Sequence, residues 1–398
     1  MKRREFLSRG AAAATLLLGA PEWLRERVFA MGNPPGIEPA VPGPPGTPYP
    51  LVALPGKAPM GQVYDRPPNY ETPTPHLIGS RHHPYTDAEY YVVRYREASV
   101  PYVDPERFRL VVGGDSVRHK LVLTLDDLRG FPQVDIGAVG NCTGLGRGLL
   151  RPLVPGLPWT KGDLSCARWS GASLRAVLHE AGVLPGAIQV AFRAAGRLAA
   201  ATKPEYWRVY PLATALRPEG LLATRMNGGD MPLWNGFPLR LVMPGAYSPM
   251  WVKQLVEIQV RSTPHPMEWS GRAMTPGTIR IMSLMTDPPD GTVVQSGSTV
   301  AIRGVAWDSG HGIERVEVST DDGRSWERAT IERSYGKYVW RVWHHRVVAR
   351  GRGTLRVLTR ATGVTGETQP MDVSERILRG GGRKNTAVRT FAGVLVIE

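Results

Sequence analysis

The first feature of this sequence that could support chemistry is a lone thiol in a glycine-rich stretch. In "GNCTGLGRGLL", Cys142 is one of two cysteines in 398 residues, and Arg147 follows it by five positions. A thiolate is a soft metal ligand, and a nearby arginine lowers a thiol pKa or grips an oxyanion through paired hydrogen bonds. The stretch therefore predicts a metal or anion site. A buried structural cysteine and a disulfide between Cys142 and Cys166 remain as alternatives.

The N-terminus has the pattern of an export signal. Residues 1–30 open with basic residues, including the pair Arg3 and Arg4 ahead of Phe6, and continue with an apolar run over 11–20. Ten apolar residues are too few to span a bilayer, so the run is typical of a signal peptide, and the paired arginines indicate the twin-arginine route. That route carries folded proteins, as an inserted cofactor requires. We expect the mature protein in the periplasm without a membrane anchor.

The chain is strongly basic. Its 49 Lys and Arg against 35 Asp and Glu give a formal net charge of +14. A positive surface favours anionic partners such as lipid headgroups, an acidic redox protein or a small anion. No nucleic-acid-binding motif is present, so a nucleic-acid partner is not expected.

Composition divides the remaining chain into three parts. Residues 31–84 are rich in proline, and we expect an extended arm that lies on a neighbour or stays mobile. Residues 85–265 mix strand-like and helical patterns, which predicts an α+β domain. Its clearest helix is "SLRAVLHEAGV", with Ser173 as the N-cap and Gly182 just past the end.

Residues 277–398 have a different pattern. Short alternating segments such as "STVAIRGVAW", "IERVEVST" and "GTLRVLTRAT" follow one another without helical segments, and "DDGRSW" has the pattern of a hairpin turn. Strands at this spacing predict an all-β, immunoglobulin-like sandwich. We expect four tryptophans to anchor its core: Trp307, Trp326, Trp340 and Trp343.

Several long motifs, in the same order, resemble the sulfite oxidase family. "CTGLGR" is similar to the family's cysteine loop, and "PWTKGDLSCARWSGASL" to its W-x-x-G and A-R-W motifs. "MNGGDMPLWNGFPLRLVMPG" resembles the family's second long block, and "GVAWDSGHGIERVEVSTDDGRSW" its dimerisation domain. The resemblance implies a molybdenum–molybdopterin cofactor and a homodimer.

The resemblance also implies roles for individual residues. Cys142 is matched to the thiolate ligand of molybdenum, and Arg94 to an arginine beside the metal. Arg147 would line the anion pocket, Trp159 would border the substrate pocket, and Arg379 would reach the substrate from the second domain.

The cofactor itself would be held by a further set of matched residues. Arg240 and Lys253 correspond to the basic pair that binds the pterin phosphate. Asn235 lies before the G-F-P motif and would contact the cofactor, together with Arg94 and Arg147.

The implied reaction is the oxidation of sulfite or a related small sulfur oxyanion. The sequence has no C-x-x-C-H haem motif, so electrons would pass to a separate c-type cytochrome. Two departures cluster at the expected site: Arg96 replaces the family's histidine, and residues 262–277 contain no counterpart of its active-site tyrosine. Three readings therefore stay open: sulfite oxidation, chemistry on another substrate (protein-bound sulfane sulfur, or a sulfoxide or oxo-anion that is reduced), and a non-catalytic scaffold.

Overall fold

The computed structural model describes residues 49–65, 67–79, 83–97, 99–150, 156–197, 205–265, 278–371 and 392–398. The predicted signal peptide, residues 1–30, lies outside this part of the chain, as does Arg379. The described residues are mostly β-strand with three short α-helices. The α+β prediction is confirmed in part: its clearest helix forms, but strands make up most of the regular structure of the first domain.

The strands of the first part of the chain are β1 Leu51–Ala53, β2 Pro59–Tyr64, β3 Asn69–Glu71, β4 Val93–Arg94, β5 Leu110–Gly114, β6 Leu121–Leu123, β7 Gln133–Asn141, β8 Leu164–Ser173, β9 Gln189–Arg197, β10 Glu205–Pro211, β11 Leu221–Met226, β12 Gly229–Asp230, β13 Arg240–Val242 and β14 Leu255–Arg261. Its helices are α1 Leu125–Gly130, α2 Leu174–Ala181 and α3 Leu212–Ala215. The second domain contains β15 Met282–Asp287, β16 Thr292–Val294, β17 Thr299–Trp307, β18 Ile313–Ser319, β19 Glu327–Arg328, β20 Thr330–Ile331, β21 Arg341–Val348, β22 Gly353–Gly363 and β23 Ala392–Ile397.

The described part of the predicted proline-rich arm contains strands that lie on a neighbouring part of the chain, which agrees with one of the two expected alternatives. Strands β1 to β4 form an antiparallel sheet in sequence order, here called the N-terminal sheet. Prolines lie in the turns, with Pro55 after β1 and Pro67 between β2 and β3, where the missing N–H disturbs no ladder. The fourth strand comes from beyond the arm, so the arm has a pairing partner that its composition did not reveal.

Two five-stranded assemblies form the core of the first domain. One sheet has the order β10-β9-β14-β5-β6, and the other has the order β12-β11-β8-β7 with β13 also paired to β11. Helix α2 packs on them with its predicted caps confirmed: the Ser173 hydroxyl accepts from Ala176 N, and Gly182 adopts a φ of +67°. Its buried face consists of Leu174, Val177, Leu178 and Ala181.

The second domain contains two sheets, β15-β17-β21-β20 and β16-β23-β22-β18-β19. Side chains from both sheets share one apolar cluster. Trp307, Trp340 and Trp343 are buried as expected. The prediction for Trp326 is wrong, because its indole N–H donates to Gly323 O across the hairpin turn and its ring stays half-buried beneath Arg360.

The two domains share a packed interface. Trp307 and Trp340 join a cluster that also contains Val139 and Leu164 of the first domain. The Trp340 indole N–H donates to Pro84 O at 2.6 Å. Strands β7 and β8 are thus held from the second domain as well as from their own sheet.

Within the described residues, no helix has both the length and the apolar character needed to cross a membrane.

Candidate functional site

A narrow pocket lies beside the N-terminal sheet and brings together three of the predicted site residues. Arg94 comes from β4, Arg240 from β13, and Lys253 from the loop before β14. The remaining described lining consists of Tyr91, Val92, Glu97, Tyr206, Ser248 and Trp251. Two strands and a loop therefore concentrate positive charge at one place, here called the cationic pocket.

Arg240 is enclosed by aromatic rings. Its guanidinium carbon lies 4.7 Å from the ring centroid of Trp169, 5.4 Å from that of Trp251 and 5.9 Å from that of Tyr91. Neighbouring rings meet edge to face, with centroids 5.5 Å and 6.0 Å apart. The negative ring faces replace part of the hydration that the buried cation loses. Arg240 Nη1 also donates to Asn235 O at 2.8 Å, which fixes the guanidinium against one turn.

Lys253 is held in a similar way. Its Nζ donates to Trp234 O at 2.7 Å and lies 3.8 Å from the ring centroid of Tyr95. Burial, reinforced by the charge of Arg240, lowers the pKa of Lys253 well below its ordinary value. The pocket is therefore an unfavourable environment for this cation until a negative charge enters it.

Two buried nitrogen atoms without hydrogen-bond partners in the described part of the chain indicate which kind of ligand the cationic pocket would bind. The Nε atoms of Arg94 and Arg240 are buried and have no hydrogen-bond partner among the described residues. Glu97 is the one carboxylate in the described lining, against three cations. Buried cations without partners are costly, and a phosphate supplies both charge and acceptors for them. The residues present therefore fit a phosphate-bearing group.

Cys142 lies directly after β7 and close to this pocket. The pairing of β7 with β8 sets Asn141 opposite Leu164, so Cys142 N donates to Asp163 O at 3.3 Å. Burial and the nearby Asp163 raise the pKa of the thiol to about 11, whereas Arg94 lowers it. A coordinated metal ion deprotonates a thiol outright, so this donor fits a thiolate ligand. Cys142 and Cys166 are both free thiols, and the disulfide alternative is not seen.

Arg94 joins the pocket to the thiol. Burial lowers the pKa of Arg94, but Cys142 and neighbouring tyrosine and carboxylate groups outweigh it and the net shift is upward. One guanidinium thus lines the cationic pocket and also interacts with Cys142. The two features belong to a single site.

Arg147 follows Cys142 in the same loop, and its side chain folds back over that loop. Its Nη1 donates to Leu157 O at 3.3 Å. A Cβ at Gly156 would lie 2.3 Å from Nη1, and one at Gly144 would lie 3.1 Å from it. These glycines leave the space that the guanidinium fills. Arg147 is not part of the described pocket lining.

Trp159 and the remaining predicted positions are placed differently. Trp159 is fully buried in an apolar cluster with Tyr49 and Val63 of the arm, and its indole N–H has no partner among the described residues. Its contact with a substrate stays a prediction. Arg379 lies outside the described residues, as do residues 266–277, the larger part of the segment 262–277 in which the tyrosine was sought.

Sequence reasoning missed two buried charged residues of this site. Asp163 is fully buried, and burial raises its pKa well above the ordinary value. Lys57 is buried beside Asn235, to whose side-chain oxygen it donates at 2.7 Å. Lys57 lies in the proline-rich arm, where composition gave no sign of a site.

Comparison with known proteins identifies the chain. Residues 97–269 match the oxidoreductase molybdopterin binding domain, and residues 276–385 match the Mo-co oxidoreductase dimerisation domain. The sulfite oxidase of Gallus gallus is 30% identical over 84% of this chain and 78% of its own length. The chain belongs to the sulfite oxidase family.

A second relative and a solved structure agree with this result, the relative in sequence and the structure in fold. The mitochondrial sulfite oxidase of Homo sapiens is 32% identical over 77% of this chain, which spans 58% of the human protein's length. The structure of the sulfane dehydrogenase SoxCD from Paracoccus pantotrophus has the same fold, with a TM-score of 0.69 at 24% identity, covering 84% of this chain and 88% of that one.

Membership of the sulfite oxidase family also settles the cofactor. The chain has a molybdopterin-binding domain followed by a β-rich dimerisation domain, and the family's cofactor is molybdenum–molybdopterin. The cationic pocket and the buried thiol both fit that group on their own chemistry.

Proposed function

We propose that this protein oxidises sulfite, or a related small sulfur oxyanion, and passes the electrons to a c-type cytochrome. The observation that carries the proposal is the continuity of Cys142, Arg94 and the cationic pocket. The sulfite oxidases of Gallus gallus and Homo sapiens support sulfite as the substrate. Electron transfer to a cytochrome rests on the absence of a haem-attachment motif in the chain.

The residues of the site divide into a cofactor-holding set and a substrate-facing set. Arg240, Lys253 and Asn235 hold the phosphate end of the cofactor, and Cys142 supplies the thiolate ligand. When bound, the cofactor provides two-electron oxygen-atom transfer.

The arginines act on the substrate side of the same site. Arg94 and Arg147 both lower the pKa of Cys142, so both guanidinium charges act at this thiol, where they would favour a dianion such as sulfite over neutral molecules. Arg379 and Trp159 complete the substrate side.

The proposal also includes the cellular location and the oligomeric state of the enzyme. A twin-arginine signal over residues 1–30 would deliver the folded protein to the periplasm, where soluble c-type cytochromes act as acceptors. The second domain would be an immunoglobulin-like sandwich that joins two copies of the chain, and its match to a dimerisation domain supports the second part of this proposal.

The test uses the full-length protein purified from a host that makes the cofactor. Molybdenum is measured first, and sulfite-dependent reduction of cytochrome c is then followed on the same sample. Molybdenum with sulfite turnover supports the proposal.

Two other outcomes would contradict the proposal. If the protein contains molybdenum and does not turn over sulfite, but acts on a protein-bound sulfane sulfur or on a sulfoxide, its substrate is not sulfite. Absence of molybdenum from correctly folded protein would point to a scaffold role.

A further inference from the structure

Lys57 is a buried lysine that approaches the site from the arm. Its Nζ donates three hydrogen bonds, to Ala88 O at 2.6 Å, Tyr91 O at 2.9 Å and Asn235 Oδ1 at 2.7 Å. All three ammonium protons are therefore used, and none of the acceptors is a carboxylate. The lysine thus joins two carbonyl groups of the segment 88–91 to one side chain of the site.

The turn that Lys57 contacts is the one on which the cationic pocket depends. Arg240 donates to the carbonyl oxygen of Asn235, and Lys253 donates to that of Trp234. The Trp234 indole N–H in turn donates to Pro55 O, two residues before Lys57. The turn Trp234–Asn235 is thus held by hydrogen bonds from Arg240 and Lys253, and also by hydrogen bonds to and from the arm.

The charge of Lys57 distinguishes it from a merely structural lysine. Lys161 is equally buried and also donates three hydrogen bonds, but two of them go to the Asp290 carboxylate. Lys57 has no such partner, and burial together with Arg240 lowers its pKa to about 7, with only Glu89 opposing. An anion in the cationic pocket would stabilise the charge of Lys57 as well as those of Arg240 and Lys253.

We propose that Lys57 is a positioning residue for the cofactor phosphate, and that the arm supports the cofactor pocket from behind its lining, through the turn Trp234–Asn235. Lys57 positions the turn Trp234–Asn235, and this turn positions Arg240 and Lys253, the two cations that would bind the phosphate. The inference rests on the proposed assignment of Arg240 and Lys253 to that phosphate.

The test compares Lys57→Met, Asn235→Ala, Arg240→Met and Lys161→Met in the full-length protein. Release of molybdopterin from the cofactor-loaded protein is followed by the fluorescence of its oxidised product. Cofactor-free protein is titrated with inorganic phosphate, and the rise in melting temperature is recorded. Lys161→Met is the matched control, because it removes a lysine of equal burial that has no contact with the turn.

We expect Lys57→Met to release the cofactor at least about tenfold faster and to lose most of the phosphate-induced rise in melting temperature. Lys161→Met should lower the melting temperature itself but keep the phosphate-induced rise. Asn235→Ala leaves two of the Lys57 hydrogen bonds in place, so it should fold and still release the cofactor faster. It keeps the inference testable if Lys57→Met does not fold.

Two results would overturn the inference in different ways. Normal cofactor release in Lys57→Met and Asn235→Ala, with rapid release in Arg240→Met, would reject the role of Lys57 and leave the phosphate assignment intact. Normal release in Arg240→Met would reject the phosphate assignment and the inference that rests on it.

Discussion

Arg240 and Lys253 show how single residues prepare a site for an anion. Both side chains are buried, and both have backbone carbonyl groups and aromatic faces as partners. Among the residues that the structure describes, neither is hydrogen-bonded to a carboxylate, which would neutralise its charge. Their charge therefore remains available to a ligand. The lowered pKa of Lys253 reflects the free-energy cost of keeping this charge buried without an anionic ligand.

The role of Cys142 gives the first prediction at this scale. Cys142→Ser should abolish sulfite-dependent cytochrome reduction, because a hydroxyl is a poor substitute for a soft thiolate ligand. Pterin content should stay close to that of the wild type, because the cationic pocket is unchanged. Activity and pterin are measured on the same preparation.

Cys166→Ala is the control for that substitution. Cys166 is also buried and free, but it lies in the apolar cluster between the domains. This variant should keep its activity. Full activity in Cys142→Ser would reject its assignment as the metal ligand.

Arg147 supports a second residue-scale prediction. Arg147→Met removes a positive charge beside Cys142, so we expect the KM for sulfite to rise by about tenfold while kcat changes less. Steady-state kinetics over a range of sulfite concentrations measure both constants. The exposed Arg129→Met is the control, and an unchanged KM in Arg147→Met would remove Arg147 from the substrate pocket.

At the scale of elements, the segment between Trp159 and Asp163 is held from three directions: by the cysteine loop, by β3 and by Asp290 of the second domain. Gly146 N and Gly148 N, in the cysteine loop, donate to Thr160 O and Trp159 O at 2.8 Å each. Thr160 N donates to Glu71 of β3 at 2.9 Å. The segment therefore connects the arm and the second domain to the loop that carries the thiol, so that the position of this loop depends on both.

Glu71 gives a prediction about pH. Burial raises the pKa of Glu71 to about 7 from an ordinary value of 4.5. Between these values the folded protein keeps a proton that the unfolded chain has released, so the contribution of Glu71 to stability is complete below pH 4.5 and falls as the pH rises to 7. The total loss is at most about 3 kcal/mol.

Glu71→Gln tests this dependence, because glutamine resembles the protonated acid and does not titrate. Between pH 5 and 7.5, the free energy of unfolding should fall less steeply in the variant than in the wild type, as measured by urea denaturation at several pH values. The exposed Glu106→Gln is the control and should retain the wild-type slope. Equal slopes in all three proteins would show that Glu71 does not take up this proton.

At the scale of the whole molecule, a buried ion pair joins the site segment to the second domain. Lys161 Nζ donates to both carboxylate oxygens of Asp290, at 2.7 Å and 2.5 Å, and to Ala392 O at 2.7 Å. The two side chains are 6% and 21% exposed, so removal of one partner leaves the other charge nearly buried.

This pair predicts coupled unfolding of the two domains. Lys161→Met should lower the free energy of unfolding by about 3 kcal/mol, and the double variant with Asp290→Asn should be less destabilised than the sum of the single variants. Urea denaturation of the four proteins measures the coupling. The exposed pair Arg356 and Asp322 is the control, and its disruption should cost no more than about 1 kcal/mol. Additive effects at Lys161 and Asp290 would show that the pair does not couple the domains.

The sequence predicted the features that depend on local pattern. Helix α2 begins and ends at its predicted caps, because a hydroxyl at the N-cap and a glycine in the left-handed region act within one turn of the chain. The long motifs, which preserve side-chain chemistry in a fixed order, predicted the family and the cofactor. Cys142, Arg94, Arg240 and Lys253 were all singled out in this way.

Only the tertiary structure decided the features that depend on distant partners. The arm folds because β4, from beyond it, completes its sheet, and Trp326 stays at the surface because its hairpin turn offers an acceptor for its N–H. Lys57 becomes part of the site because strand pairing carries it next to Asn235, 178 positions away. Burial, which determines the pKa of a charged group and the energy of its contacts, is a property of the assembled chain and has no local pattern.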